Sequence, residues 1–220
     1  MAFSDLFARL RKDEPAAGDA GADKALVFPS KGLPKFLACL SHREGPVLLD
    51  LGPVVGSNLT FFGDALGCRI SVEDLAKDLD RHGREHRLAD LPGFLTSRLT
   101  QAPGSVDGIV CWDLFDHLDK AAAAALAGAL VRLLAPEGAV LAFFNTKPPA
   151  PDAPATYTKH VIVDAGTIEH RPYPAVVGRQ RPLENRDIQR IFEPLRITEQ
   201  VLLKSHVREV LFRRPATPGA

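Results

Sequence analysis

The chain has 220 residues, carries 27 Lys+Arg against 27 Asp+Glu, and is 45% hydrophobic. That length suits one ordinary domain with a real core and a short extension, and the balanced charge gives no global field for nucleic acid or an anionic membrane. Cys39, Cys68 and Cys111 are odd in number and lack a C-x-x-C pair, which argues against a disulfide framework or zinc knuckle and fits a reducing cytoplasm.

Residues 3–12, with Phe3, Leu6, Phe7 and Leu10 among Arg9, Arg11 and Lys12, form a short amphipathic helical pattern, either packed on its own domain or a docking segment for a partner. No basic n-region precedes an apolar stretch, so no signal peptide is expected. Residues 13–24 are rich in Asp, Ala and Gly and read as a linker. Ser30 can cap a helix over 31–42, whose Leu33, Phe36, Leu37 and Leu40 make an apolar stripe. After Gly45-Pro46, the run Val47-Leu48-Leu49-Asp50-Leu51 reads as a buried parallel strand. It breaks into Gly52-Pro53-Val54-Val55-Gly56, and a helix is expected from Ser57 or Asn58 to Gly67. Strand, glycine loop and helix N-terminus in that order make a nucleotide-type site, because unpaired N–H groups face the ligand.

Arg69–Val72 reads as a second strand ending at Glu73-Asp74, and Leu75–Leu88 as a charged helix weakened by Gly83. Ala89-Asp90-Leu91-Pro92 signals a loop, followed by an amphipathic turn with Phe94, Leu95 and Leu99. Val106–Cys111 is the next strand, Asp119 caps a long helix, and Ala139–Phe144 is a strand after the Pro136-Glu137-Gly138 turn. The order βαβαβαβ implies a parallel sheet covered by helices on both faces. Residues 147–154 contain four prolines and make a semi-rigid connection. Thr156–Val163 and Thr167–Arg171 read as an inserted β-hairpin, Asn185 as the cap of a helix over 186–193, and Ile197–Leu203 with Val207–Arg213 as a closing antiparallel hairpin. The domain is therefore expected over 25–214, with 215–220 a tail.

This order resembles the class I S-adenosylmethionine-dependent methyltransferases over roughly residues 45–145. Asp50-Leu51-Gly52-Pro53-Val54-Val55-Gly56 resembles the family's D-x-G-x-G-x-G loop, and Glu73 stands where an acid accepts the ribose hydroxyls. Asp90-Leu91-Pro92 is similar to the segment that contacts adenine. Val106–Val110 with Trp112–Leu118 resembles the "FDxV…LEHL" strand and loop, and Leu133–Gly138 resembles "LLKPGG". The resemblance implies a Rossmann-like α/β fold: a mostly parallel seven-stranded sheet with a C-terminal antiparallel hairpin and an inserted hairpin. It implies S-adenosylmethionine as cofactor and methyl transfer to an unidentified acceptor, a small molecule or a protein side chain. Gly52, Gly56, Ser57 and Asn58 would serve the cofactor's carboxylate, Glu73 its ribose, and Asp90, Leu91 and Trp112 its adenine. Asp50 would brace the loop, and Asp113 would lie at the same strand ends. One departure stands out: Val54 replaces the family's middle glycine, beside Pro53, which narrows the loop and removes a donor. That departure keeps open a second reading, a catalytically inactive methyltransferase-like scaffold.

Asp113, Asp116 and His117 follow the fourth strand, where a general base could sit, though bracing the next helix is the plainer role for Asp116 and His117. Tyr157, Lys159, His160, His170, Arg171 and Tyr173 on the inserted hairpin, with Arg179 and Arg181, could form a lid over an acceptor site or simply a soluble edge. His82-Gly83-Arg84-Glu85-His86 matches an H-x-x-E-H zinc pattern, but the surrounding charges favour a solvated helix, and no metal is expected. A nucleotide-dependent oxidoreductase fits less well, because the loop spacing is wrong for G-x-G-x-x-G. Nucleic acid is not an expected partner.

Overall fold

The computed structural model describes residues 26–216. The expected amphipathic segment 3–12 and the linker 13–24 lie outside the described residues. Six strands make the main sheet: β2 (Val47–Asp50), β3 (Arg69–Val72), β4 (Val106–Trp112), β5 (Leu134–Asn145), β8 (Arg196–Leu202) and β9 (Val207–Arg213). Their order is β3-β2-β4-β5-β9-β8. The first four run parallel, while β9 is antiparallel to both β5 and β8. A second sheet, β1-β7-β6, is built from β1 (Leu26–Pro29), β6 (Thr156–Asp164) and β7 (Thr167–Pro174).

Among the described residues, six helices flank this framework: α1 (Gly32–Leu40), α2 (Gly56–Leu66), α3 (Leu75–Arg84), α4 (Leu91–Arg98), α5 (Lys120–Leu133) and α6 (Asn185–Ile191). Alternation along the strands assigns their side chains to two cores. Leu48, Val110, Leu141, Phe143 and Leu211 pack with α1, α2 and the inserted hairpin. Leu49, Ile109, Cys111, Val140, Ala142, Phe144 and Phe212 pack with α3 to α6. No described helix is long and apolar enough to cross a membrane.

Local signals act where the spacing placed them. Ser30 Oγ accepts from Leu33 N at 3.0 Å, Asp119 Oδ1 accepts from Ala122 N at 2.8 Å, and Gly67 ends α2 in the left-handed region at φ 58°. Other expectations change. The main sheet has its parallel strands and the expected closing antiparallel hairpin, but among the described residues it counts six strands, not seven. Between β3 and β4 the chain is helical, because Leu91, Leu95 and Leu99 are buried at a spacing of four, the period of a helix face. Strand β1 was not expected; it pairs antiparallel with β7, from Leu26 opposite His170 to Pro29 opposite Thr167. Asn185 begins α6 without a side-chain cap bond and accepts from Gln200 Nε2 instead.

Helix α3 ends at Arg84, so His82 and His86 do not share a helical face. His82 is buried against the Phe94 ring, its Nδ1 2.7 Å from Asp78 O, which replaces the expected solvated position. Gly83 also gains a reason. A Cβ there would lie 2.8 Å from Val177 Cγ2 and 3.0 Å from Val176 Cγ1, so its bare backbone lets that loop close onto α3.

Candidate functional site at the carboxyl ends of the strands

The strand–loop–helix unit forms as its residues dictate. Strand β2 ends at Asp50 and α2 begins at Gly56, with Glu73 N donating to Asp50 O at 2.8 Å. The glycine loop and the end of β3 therefore lie side by side at the carboxyl edge of the sheet, where ligands of parallel sheets gather. Gly56, Ser57 and Val54 are exposed at the helix start.

Trp112 occupies the space above the loop. Its indole N–H donates to Asp50 Oδ1 at 2.7 Å, and the same oxygen accepts from Gly52 N at 2.9 Å. A Cβ at Gly52 would sit 2.5 Å from Trp112 Cδ1, so glycine at 52 is required by the indole itself. Trp112 has φ +50°, a left-handed backbone that costs a non-glycine residue of order 1–3 kcal/mol. Burial pushes Asp50 up to about 6, opposed by its hydrogen bonds to Gly52 and Trp112.

His160, from the inserted hairpin, stacks on Trp112 with ring centroids 5.1 Å apart and planes 7° from parallel. Its other ring neighbours are Phe143 and His170. His160 Nδ1 has no hydrogen-bond partner among the described residues and stands 3.8 Å from Asp113 Oδ1. Burial lowers the His160 pKa, and lowers His170 to about 4, helped by His160 beside it. Asn58 points inward: it is 1% exposed, donates from Nδ2 to His160 O at 2.7 Å, and accepts from Ile162 N at 2.8 Å.

Glu73 is engaged by the chain itself. Its Oε2 accepts from Arg98 Nη1 at 2.6 Å, while Oε1 accepts from Gln101 Nε2 at 3.0 Å and from Ser71 Oγ at 3.3 Å. Arg98 also reaches Asp78 at 3.0 Å, so it ties the end of β3 to α3 and α4. Asp90 is exposed and paired with Arg87 at 2.9 Å, whereas Leu91 is buried in the core. Of the sequence-derived positions, the structure thus brings Asp50, Gly52, Trp112 and Asp113 together. Asn58 faces the hairpin, and Asp90 faces outward.

Asp116 and His117 hold backbone rather than helix α5. The Asp116 carboxylate accepts from Asn145 N at 3.1 and 3.0 Å and from Asn145 Nδ2 at 2.5 Å. Burial, with the charge of Asp113 beside it, raises Asp116 to about 7. His117 Nδ1 lies 3.2 Å from Val177 O, and its ring meets Tyr157 edge-on; burial lowers its pKa. Residue spacing carries no signal for the Arg98–Glu73 pair or for the Asn58 contacts to the hairpin.

No protein-family model matches the sequence, and no curated protein matches it. Solved structures do. The 1,6-didemethyltoxoflavin-N1-methyltransferase of Burkholderia thailandensis, with bound 1,6-didemethyltoxoflavin and S-adenosylhomocysteine, aligns at 14% identity over 84% of this chain and 79% of its own, with a TM-score of 0.51. The CcbJ methyltransferase of Streptomyces caelestis aligns at 15% identity over 84% and 94%, with a TM-score of 0.49. The glycopeptide N-methyltransferase MtfA, complexed with S-adenosylmethionine, aligns at 18% identity over 90% and 100%, with a TM-score of 0.45. This chain has an α/β fold similar to that of methyltransferases.

Proposed function

We propose that the chain is an S-adenosylmethionine-dependent methyltransferase for an unidentified acceptor, closed over its own cofactor crevice in the conformation described. The observation that carries the reading is the placement of Glu73 beside the Asp50–Gly56 loop, fixed by the 2.8 Å bond from Glu73 N to Asp50 O. A carboxylate there suits a diol, and the exposed start of α2 suits an anionic group. The likeness in fold to the 1,6-didemethyltoxoflavin-N1-methyltransferase supports it.

As arranged, the residues do not fit that cofactor. The indole of Trp112 fills the space over Gly52, both oxygens of Glu73 are bonded to side chains, and Asp90 is paired on the outside. Binding would require Trp112 to swing off the loop and Arg98 to release Glu73. The same observation favours the second reading, a methyltransferase-like scaffold that performs no transfer.

Calorimetric titration with S-adenosylmethionine and S-adenosylhomocysteine separates the two. The enzyme reading expects binding that Trp112→Gly tightens and that Glu73→Ala weakens by about 1.5–3 kcal/mol. No binding of either ligand by wild type or by Trp112→Gly would leave the scaffold.

A further inference from the structure

We propose that the β6–β7 hairpin is a strap that competes with a ligand for the glycine-loop crevice, with Asn58 as its latch and the Trp112–His160 stack as its plug. This rests on the reading of the loop as the cofactor site.

The latch is geometric. Strand β6 is an edge of the three-stranded sheet, whose order is β1-β7-β6, so its outer side has no strand partner. The Asn58 amide replaces one over a short stretch, giving a donor to His160 O and an acceptor to Ile162 N. An asparagine side chain offers both halves of a peptide group, a donor and an acceptor on separate atoms, which is why it can close this gap where a carboxylate would satisfy the N–H alone. The residue between the carbonyl and the N–H so held is Val161, and the clasp fixes the orientation of its neighbour His160. The ring of His160 is thereby set parallel to the indole of Trp112.

The hairpin can lift as a unit. It shares no ladder with the six-stranded sheet, and β1 travels with it through its pairing with β7 and the bond from Ser30 N to Gly166 O at 2.7 Å. Ile162 and Ile168 anchor it to the core beneath and oppose the motion. Two features favour release. Trp112 is held at φ +50°, and His160 Nδ1 is buried without a hydrogen bond, 3.8 Å from Asp113. Separation of the stack would let His160 Nδ1 reach water, and it would free Trp112 of the contact that accompanies its left-handed backbone. Between the closed and open forms, a ligand gains only by its differential affinity, so the strap sets an affinity threshold for whatever enters.

Trp112 is the only tryptophan, so its emission reports on the plug directly. The experiment uses the full chain, with Asn58→Ala and, because a buried clasp can be needed for folding, His160→Ala as a second variant that keeps the clasp backbone intact. In each, acrylamide quenching of Trp112 is expected to rise several-fold, amide exchange over 156–174 to accelerate at least about tenfold in Asn58→Ala, and S-adenosylhomocysteine to bind about tenfold more tightly than to wild type. Native circular dichroism with unchanged quenching and unchanged exchange in both variants would overturn the strap. So would saturation of wild type by S-adenosylhomocysteine with Trp112 emission and hairpin exchange unaltered. A loosened hairpin and exposed Trp112 with no ligand bound would uphold the strap and count against the cofactor reading instead.

Discussion

Trp112 and Asp50 are 62 positions apart in the chain, yet the indole N–H of one donates to the buried carboxylate of the other at 2.7 Å. That bond crosses from the end of β4 to the end of β2. It holds an aromatic ring over a glycine whose Cβ would be 2.5 Å from it. Gly52, the first glycine of a loop that by pattern faces a ligand, here faces a side chain of its own protein.

Gly52→Ala should therefore act through Trp112. A methyl group at that distance forces the indole aside, at a cost of about 1–3 kcal/mol for overpacking. In a Trp112→Ala background the same substitution should cost far less. Urea unfolding of both singles and the double mutant measures the coupling, and a coupling near zero would mean that the indole does not rest on the loop.

Asp50 gives a pH dependence of definite sign. Its folded pKa, about 6, lies above the roughly 3.9 of an unfolded aspartate, so the folded chain keeps a proton that the unfolded chain releases. The associated stability is fully present below about pH 4 and is lost as pH rises through about 6. Asn at position 50 keeps the acceptor for Trp112 and Gly52 but cannot ionise. Relative to Asp50→Asn, wild type should lose about 2–3 kcal/mol between pH 4 and pH 8. Comparing the two proteins cancels the buried histidines, which both retain. A constant difference across that range would show that Asp50 titrates normally.

Glu209 makes a structural prediction away from the crevice. It is 2% exposed, and Oε2 accepts from Lys31 N at 2.8 Å and Gly32 N at 2.7 Å, so a carboxylate from β9 serves the N-terminus of α1. Glu209→Ala leaves two backbone donors without their acceptor and should destabilise by about 2–3 kcal/mol. Glu209→Gln, which keeps an oxygen there, should cost about 1 kcal/mol. Thermal melts of the two variants should rank in that order.

Gly83 sets helix propensity against packing. Alanine would favour helix α3 by about 1 kcal/mol, but its methyl would press on Val176 and Val177, both stiff β-branched side chains. The contact should win, making Gly83→Ala net destabilising. Adding Val177→Ala should recover part of the loss. If Gly83→Ala alone stabilises, the loop over 175–180 gives way freely.

What the sequence by itself determined is the set of features that depend on near neighbours. Strand and helix periods follow from spacing, so β2, β3, β4, α5 and the closing hairpin fall close to where alternation and stripes put them. The caps at Ser30 and Asp119 and the stop at Gly67 act within three or four residues. The sequence also carried the order of strands and helices, and from that the methyltransferase-like architecture. Tertiary structure alone decided who meets whom across long separations. Spacing does not encode that Arg98 would take Glu73, that β1 would join β7, or that Asn58 would clasp a strand 102 positions away. It also hid the reversal at the centre: a glycine is left bare by anything that comes close, and a ligand and an indole impose the same requirement on it.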